Sequence, residues 1–178
     1  ADMEGYTRIT SSLTLEDAAQ LTKSFLACLT QPVLELGGTL DKYSGDGLVA
    51  FWGAPLPCPE QADRAVSAAL AILRAVDSFN HDRIKRNFLP VRVRIGIESG
   101  HALVGDLGTP FRSTYTAVGD CINFASRLES TARDLPTQLV IGATANAKLK
   151  SHSTYSLGII LLRGTETKIE VFSVRESL

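Results

Sequence analysis

Residues 39–52 read T-L-D-K-Y-S-G-D-G-L-V-A-F-W. Two runs of strand-forming side chains flank S-G-D-G, a cluster of turn formers, so the stretch predicts a hairpin of Thr39–Tyr43 and Leu48–Trp52 with Asp46 held between glycines at its turn. Upstream, T-L-E-D from Thr14 offers an N-cap with an acid three residues on, and Ala18, Leu21, Phe25, Cys28 and Leu29 follow at helical spacing. Pro32 is expected to kink that helix or end it early, and Gly37-Gly38 to close the segment. Downstream, the proline-rich Gly53–Pro59 reads as a loop, and Ala65, Ala69, Ile72, Val76 and Phe79 mark a second helix over Glu60–Phe79. The hairpin therefore lies between two helices. V-R-V-R-I-G-I, residues 91–97, alternates as a strand with one buried face. Gly100, Gly105 and Gly108 then punctuate a turn or hairpin. A helix over Gly119–Thr131, a strand at Gln138–Ile141, a short helix at Ala143–Leu149 and final strands at Tyr155–Leu162 and Ile169–Val174 complete the reading. Helices interleaved with hairpins predict an α+β sandwich with the helices on one sheet face and extra strands at the C-terminal end.

The chain has 178 residues, 44% of them hydrophobic, enough for one domain with a sizeable core. Lysine and arginine number 18 against 19 acids, which gives no general field for nucleic acid or an anionic membrane, so any phosphate binding must be local. Cys28, Cys58 and Cys121 are odd in number and lack the close pairing of a zinc or redox motif, and they read as reduced core residues. No stretch approaches the length of a membrane span and no signal peptide opens the chain, so a cytoplasmic domain is expected, of a soluble or membrane-anchored parent. The polar turn at the very start suggests a domain excised from a longer protein, with its N-terminal strand trimmed.

Two further stretches carry chemistry. Residues 118–128, V-G-D-C-I-N-F-A-S-R-L, place Asn123 and Arg127 one helical turn apart on one face, an amide and a fixed cation where a reacting phosphate could sit. A-D-M-E-G-Y-T, residues 1–7, adds the carboxylate of Asp2. Singly, each residue has a structural alternative: Asp46 a turn former, Lys42 a solvated strand residue, Asp2 a frayed terminus, Arg127 and Asn123 members of a polar face, His101 a loop histidine. A purely structural domain has no reason to combine all of the others.

In this order and over nearly the whole chain, A-D-M-E-G-Y-T, L-D-K-Y-S-G-D-G and V-G-D-C-I-N-F-A-S-R-L resemble the two metal-binding turns and the transition-state helix of class III nucleotidyl cyclases, the adenylyl and guanylyl cyclase family. The resemblance implies a ferredoxin-like βαββαβ core and a head-to-tail homodimer with two shared active sites. It implies that Asp2 and Asp46 hold two Mg2+ or Mn2+ ions, with the Met3 carbonyl completing one site, and that the backbone amides of Glu4, Gly5, Tyr6 and Thr7 cradle phosphates. Asn123 would orient the ribose, and Arg127 would meet charge developing on the α-phosphate. In the family's geometry Asp2 and Asp46 come from one protomer, and Lys42, Thr116, Asn123 and Arg127 from the other.

Lys42 can only donate, which suits adenine N1 and opposes guanine N1–H, while the Thr116 hydroxyl can accept from the adenine amine. ATP is thus the favoured substrate, and the Lys/Thr pair is most like the bacterial and bicarbonate-responsive branch. Near the C-terminus R-G-T-E-T-K, residues 163–168, has Thr165 where the family usually carries a triphosphate lysine, with Arg163 or Lys168 as substitutes. The expected activity is an adenylyl cyclase making cyclic AMP and pyrophosphate. A guanylyl cyclase and a non-catalytic nucleotide-binding regulatory domain stand as alternatives. The absence of a G-G-[DE]-E-F segment disfavours a dinucleotide cyclase.

Overall fold

The computed structural model describes residues 1–162 and 168–174. Its elements are β1 (Asp2–Met3), α1 (Tyr6–Thr10), α2 (Leu15–Glu35), β2 (Thr39–Ser44), β3 (Gly47–Phe51), α3 (Gln61–Lys85), β4 (Val93–Ile97), β5 (Leu103–Asp106), β6 (Tyr115–Val118), α4 (Asp120–Thr131), β7 (Leu139–Gly142), α5 (Ala143–Asn146), β8 (Thr154–Leu161) and β9 (Lys168–Val174). Of the two expected substitutes for the triphosphate lysine, Lys168 opens β9 and Arg163 lies outside the described residues, as does Thr165 at the position they would replace.

Thr14 caps α2 as predicted, its hydroxyl accepting from the Asp17 amide at 3.1 Å. Pro32 does not end the helix, which continues to Glu35. Pro32 sits in the last turn, where its missing donor costs a single helical bond, and its ring is buried. The end comes at the glycines: Gly37 takes a φ of 72°, and the Gly37 and Gly38 amides donate back to Leu34 and Val33 in a Schellman closure. Helix α3 overruns its predicted end at Phe79 because Arg83, though charged, is buried. Its guanidinium lies over the Phe79 and Phe88 rings and its Nε donates to the Leu89 carbonyl at 2.9 Å.

The sheet runs β1-β4-β7-β9-β8, and the β2-β3 hairpin joins its free edge through Ala1 N to Leu48 O at 3.0 Å and Leu48 N to Ala1 O at 2.9 Å. The order β2-β3-β1-β4, with α2 and α3 as connections, is the ferredoxin-like βαββαβ arrangement, and β7, β9 and β8 extend it beyond β4. The main core lies between α2, α3 and one sheet face, where Phe25, Leu29, Val66, Val93 and Ile141 are fully covered. The prediction of helices on one face is corrected here. A second cluster, with Leu128, Val140, Leu162 and Val171, lies on the opposite face, where α4 forms the crossover between the parallel strands β4 and β7. Glycine makes that approach possible, since a Cβ at Gly96 would collide with the Ala125 carbonyl and the Glu129 amide of α4. The cysteines are free and half-buried; Cys28 packs against the main core, and Cys58 and Cys121 lie outside the core clusters.

Candidate active site

The two carboxylates read from the sequence converge. Asp2 faces Arg94 across the antiparallel β1–β4 pair, which puts both side chains on the α4 side of the sheet, while Met3 points into the main core, 1% exposed. Asp46 occupies the two-residue turn between β2 and β3, where Gly45 supplies the left-handed φ of 63° that the tight reversal needs. The turn closes over β1 because Gly47 has no side chain: a Cβ there would stand 2.5 Å from the Ala1 carbonyl and 2.7 Å from Asp2 Oδ1.

The electrostatics follow from this convergence. Burial, then the negative charge of Asp2, pushes the Asp46 carboxyl above its ordinary value, against hydrogen bonds from its own amide and that of Met3. Asp46 Oδ2 is buried without a hydrogen-bond partner among the described residues. Two carboxylates at close range, one with an orphaned oxygen, form a hard oxygen donor set that fits Mg2+ or Mn2+.

Arg94, which the strand periodicity assigned to a polar face, is 5% exposed because α4 covers it. Its Nη2 donates to Asp2 Oδ2 at 3.0 Å, and its Nε stands 2.9 Å from Glu129 Oε1 on α4. Burial pushes the Glu129 carboxyl up against the pull of Arg94. Sequence reasoning missed this pair, and Gly96 in mid-strand was the one sign of a close neighbour.

Helix α4 starts after Gly119, buries Leu128 and leaves Asn123 exposed, with the Arg127 guanidinium 6.0 Å from the Phe124 ring centre. Lys42 is exposed on β2, its Nζ 3.7 Å from Asp41 Oδ2, and the Asp41 side chain beneath it is fully buried at a bulge in the β2–β3 register. Asp41 is a second residue the sequence reading passed over. Thr116 pairs with Gly105 in the β5–β6 hairpin, and β6 packs against β2, so Lys42 and Thr116 lie on adjoining elements of one protomer.

One expectation for the phosphate turn is corrected. The Glu4 amide donates to the Arg92 carbonyl at 2.8 Å and is not free for a ligand. Gly5 takes a φ of 71° at the head of α1, and the Tyr6 hydroxyl shares a hydrogen bond with Thr22 at 2.9 Å, which fixes the turn to α2. Thr7 is exposed in the first turn of α1. A cavity of about 490 Å3 runs from Asp2 past Gly47 and Phe51 to Glu98 and Cys121. Among the described residues no helix is long and apolar enough to cross a membrane.

The family model for the adenylate and guanylate cyclase catalytic domain matches residues 1–176. Adenylate cyclase 1 of Rhizobium meliloti is 29% identical over 174 residues, which cover 97% of this chain and 26% of the relative. The adenylate cyclase of Anabaena cylindrica is 28% identical over 182 residues, covering 98% of this chain and 35% of the relative. The chain thus spans about a quarter to a third of these relatives. The crystal structure of the adenylyl cyclase CyaB from P. aeruginosa superposes with a TM-score of 0.84 at 26% identity, covering 99% of this chain and 91% of that one. The guanylate cyclase domain of RhGC from Catenaria anguillulae, solved with GTP, gives 0.83 at 26% identity, covering 98% and 93%.

Proposed function

The chain belongs to the adenylate and guanylate cyclase catalytic-domain family, and from that premise we propose that it converts ATP to 3′,5′-cyclic AMP and pyrophosphate at two sites shared by a pair of identical chains. The observation that carries this reading is the Asp2–Asp46 carboxylate pair with its orphaned, buried oxygen, an arrangement that is unfavourable until a cation joins it. Asp2 and Asp46 would hold two divalent ions, which when bound would supply Lewis-acid activation of the ribose 3′-hydroxyl and charge neutralisation for the triphosphate. The 3′-hydroxyl would lose its proton to solvent as its oxygen bonds to the α-phosphorus, while the bond from that phosphorus to the bridging oxygen breaks and pyrophosphate leaves with the electron pair.

The chain's own groups divide the remaining work. Asp2 and Asp46, with the Met3 carbonyl, hold the ions, and the amides of Gly5, Tyr6 and Thr7 take up phosphate charge. The Lys42 ammonium donates to adenine N1, and the Thr116 hydroxyl accepts from the exocyclic amine. Asn123 orients the ribose. Arg127 meets the charge that grows on the α-phosphate, and losing such a donor costs about 2.7–4 kcal/mol of transition-state stabilisation.

Pairing is supported by the β5–β6 hairpin. Leu103 and Val118 sit opposite one another on it, 66% and 59% exposed, and Phe111 at its tip is 97% exposed. With identical partners, the Asp46 of one chain and the Arg127 of the other complete each site, and symmetry makes two. A hydroxyl also donates, so Thr116 fits guanine as well as adenine, and a guanylyl cyclase is the alternative.

The test is product formation by the purified chain with ATP or GTP and Mg2+ or Mn2+. Cyclic AMP rising faster than linearly with protein concentration supports the proposal. Preferred cyclic GMP replaces the substrate, and no product despite dimers and ATP binding makes the chain a regulatory domain. Mixing Asp46→Asn with Arg127→Ala chains should restore about a quarter of wild-type activity, because about half the dimers are mixed and each has one intact site. A dead mixture with mixed dimers present rejects shared sites.

A further inference from the structure

Arg94 touches both halves of the proposed machinery. It stands opposite Asp2 in the β1–β4 register, and its Nη2 reaches Asp2 Oδ2 at 3.0 Å. Its Nε lies 2.9 Å from Glu129 Oε1. The side chains of Arg94 and Glu129 are 7% and 12% exposed, so water neither screens nor replaces the contact. Glu129 is two residues beyond Arg127 on α4, and α4 is seated on the sheet at Gly96, where not even a Cβ fits between helix and strand. A buried, charged bridge, hydrogen-bonded at Asp2 and ion-paired at Glu129, therefore runs from Asp2 through Arg94 to the helix that carries Asn123 and Arg127.

We propose that Arg94 and Glu129 are positioning residues that tie the Asp2 carboxylate to α4, so that binding of a divalent cation at Asp2 is felt by the helix serving the other site of the pair. This rests on the shared-site reading above, in which one protomer gives its carboxylates to one site and its α4 to the other. The physical reason is competition for Asp2 Oδ2. A cation that draws on that oxygen loosens Arg94 from Asp2, and the guanidinium charge then falls more fully to Glu129. Glu129 in turn keeps Arg94 from repelling the cation outright. Coupling between the two sites then needs no contact between them other than this bridge.

The bridge predicts opposite signs for its two ends. Arg94→Met removes a cation beside Asp2 and should tighten Mn2+ binding about fivefold, the low end of typical coupling between sites. Glu129→Gln leaves the guanidinium uncompensated and should weaken Mn2+ binding about fivefold. A general loss of structure would weaken binding in both. Mn2+ affinity is read by electron paramagnetic resonance on the whole chain without nucleotide, beside hydrogen exchange of the α4 amides. In the wild type Mn2+ should alter α4 exchange, and in Arg94→Met it should not. If Arg94→Met fails to fold, the near-isosteric Glu129→Gln still carries the test, by affinity and by exchange.

In the complementing mixture, Glu129→Gln added to the Arg127→Ala chain should raise the Mn2+ concentration needed for half-maximal turnover, although the α4 of that chain serves only the dead site. Shifts of one sign in both variants, no shift in either, or α4 exchange indifferent to Mn2+ overturns the bridge. If the wild type binds Mn2+ and makes cyclic AMP in that case, the bridge alone has failed. A wild type that does not bind Mn2+ rejects the cation site and the bridge with it.

Discussion

Gly96→Ala is the smallest change that should separate the sheet from the helix it supports. The added Cβ would press on the Ala125 carbonyl and the Glu129 amide and would lie 3.1 Å from the Glu129 Cα. Ordinary carbon contacts need about 3.5–4.0 Å, so α4 must lift by roughly 1 Å or the strand must bow away. Overpacking of this kind costs about 1–3 kcal/mol. For a domain of this size each kcal/mol lowers Tm by about 2–4 °C, giving a drop of about 2–12 °C. Helix α4 takes Asn123 and Arg127 with it, and a displacement of about 1 Å can cost on the order of a hundredfold in rate. The assays are differential scanning fluorimetry and cyclic AMP formation under saturating ATP and Mn2+. Gly105→Ala is the thermal control, since a Cβ there meets nothing within 4 Å. A Gly96→Ala protein with wild-type Tm and wild-type turnover would refute the close seating of α4 and the dependence of turnover on it.

The base-recognition argument predicts that Lys42→Glu with Thr116→Cys shifts the ratio of turnover with ATP to turnover with GTP towards GTP by tenfold or more, about 1.4 kcal/mol; an unchanged ratio removes it. Asp63 on α3 ties that helix to the chain after α5, accepting from the Ser151 amide at 2.7 Å and from the Lys150 amide and His152 Nδ1 at 3.1 Å. Burial raises its carboxyl, but hydrogen bonds from Ser151, His152 and Lys150 outweigh burial and hold it below 3.8. The stability it contributes is therefore present above its unfolded value and lost as pH falls through the folded one. Asp63→Asn should lower Tm at neutral pH and flatten the acid limb of a Tm–pH profile, and parallel profiles would contradict this. Asp46 has the opposite sign. Its raised carboxyl makes the cation-free fold lose stability as pH rises above 3.8 towards the folded value. Asp46→Asn should thus abolish cation-dependent turnover while raising the Tm of the cation-free protein near pH 7, and Mn2+ should stabilise only the wild type.

How far the sequence could be read depended on whether the deciding neighbour was local. The hairpin was legible because turn glycines and strand alternation lie within a dozen residues, and Asp46 came with it. The N-cap at Thr14 and the glycine closure at Gly37-Gly38 were legible for the same reason. Arg94 was not, because a strand alternates in the same way whether its polar side meets water or a helix. What distinguishes the two is Gly96, and its meaning depends on α4, which follows only after the β5–β6 hairpin. The Glu4 amide was misassigned on similar grounds: its acceptor, the Arg92 carbonyl, belongs to a segment the local motif does not contain. Pro32 misled because its cost depends on distance from a helix end that the glycines, not the proline, determine.

The carboxylate pair also explains why β1 is held so firmly despite its two residues. Bringing Asp46 against Asp2 is unfavourable without a cation, so the fold must resist their separation. It does so from three sides. Leu48 and Ala1 exchange backbone bonds on one edge, Arg94 and Val93 pair with Asp2 and Met3 on the other, and the Met3 side chain is sunk in the main core beneath. Removing a buried Met side chain typically costs about 2–5 kcal/mol, so Met3 is a strong anchor for β1. Arg94 lowers the repulsion between Asp2 and Asp46 from the sheet side, and Glu129 balances Arg94 in its turn. The local rule that like charges stay apart is broken where Asp46 meets Asp2, and the groups that compensate for the break are those that connect it to α4. If the proposed site takes up a divalent cation, the stability gained should fall on the strand and helix that carry the proposed chemistry, which a Mn2+-dependent rise in Tm would show.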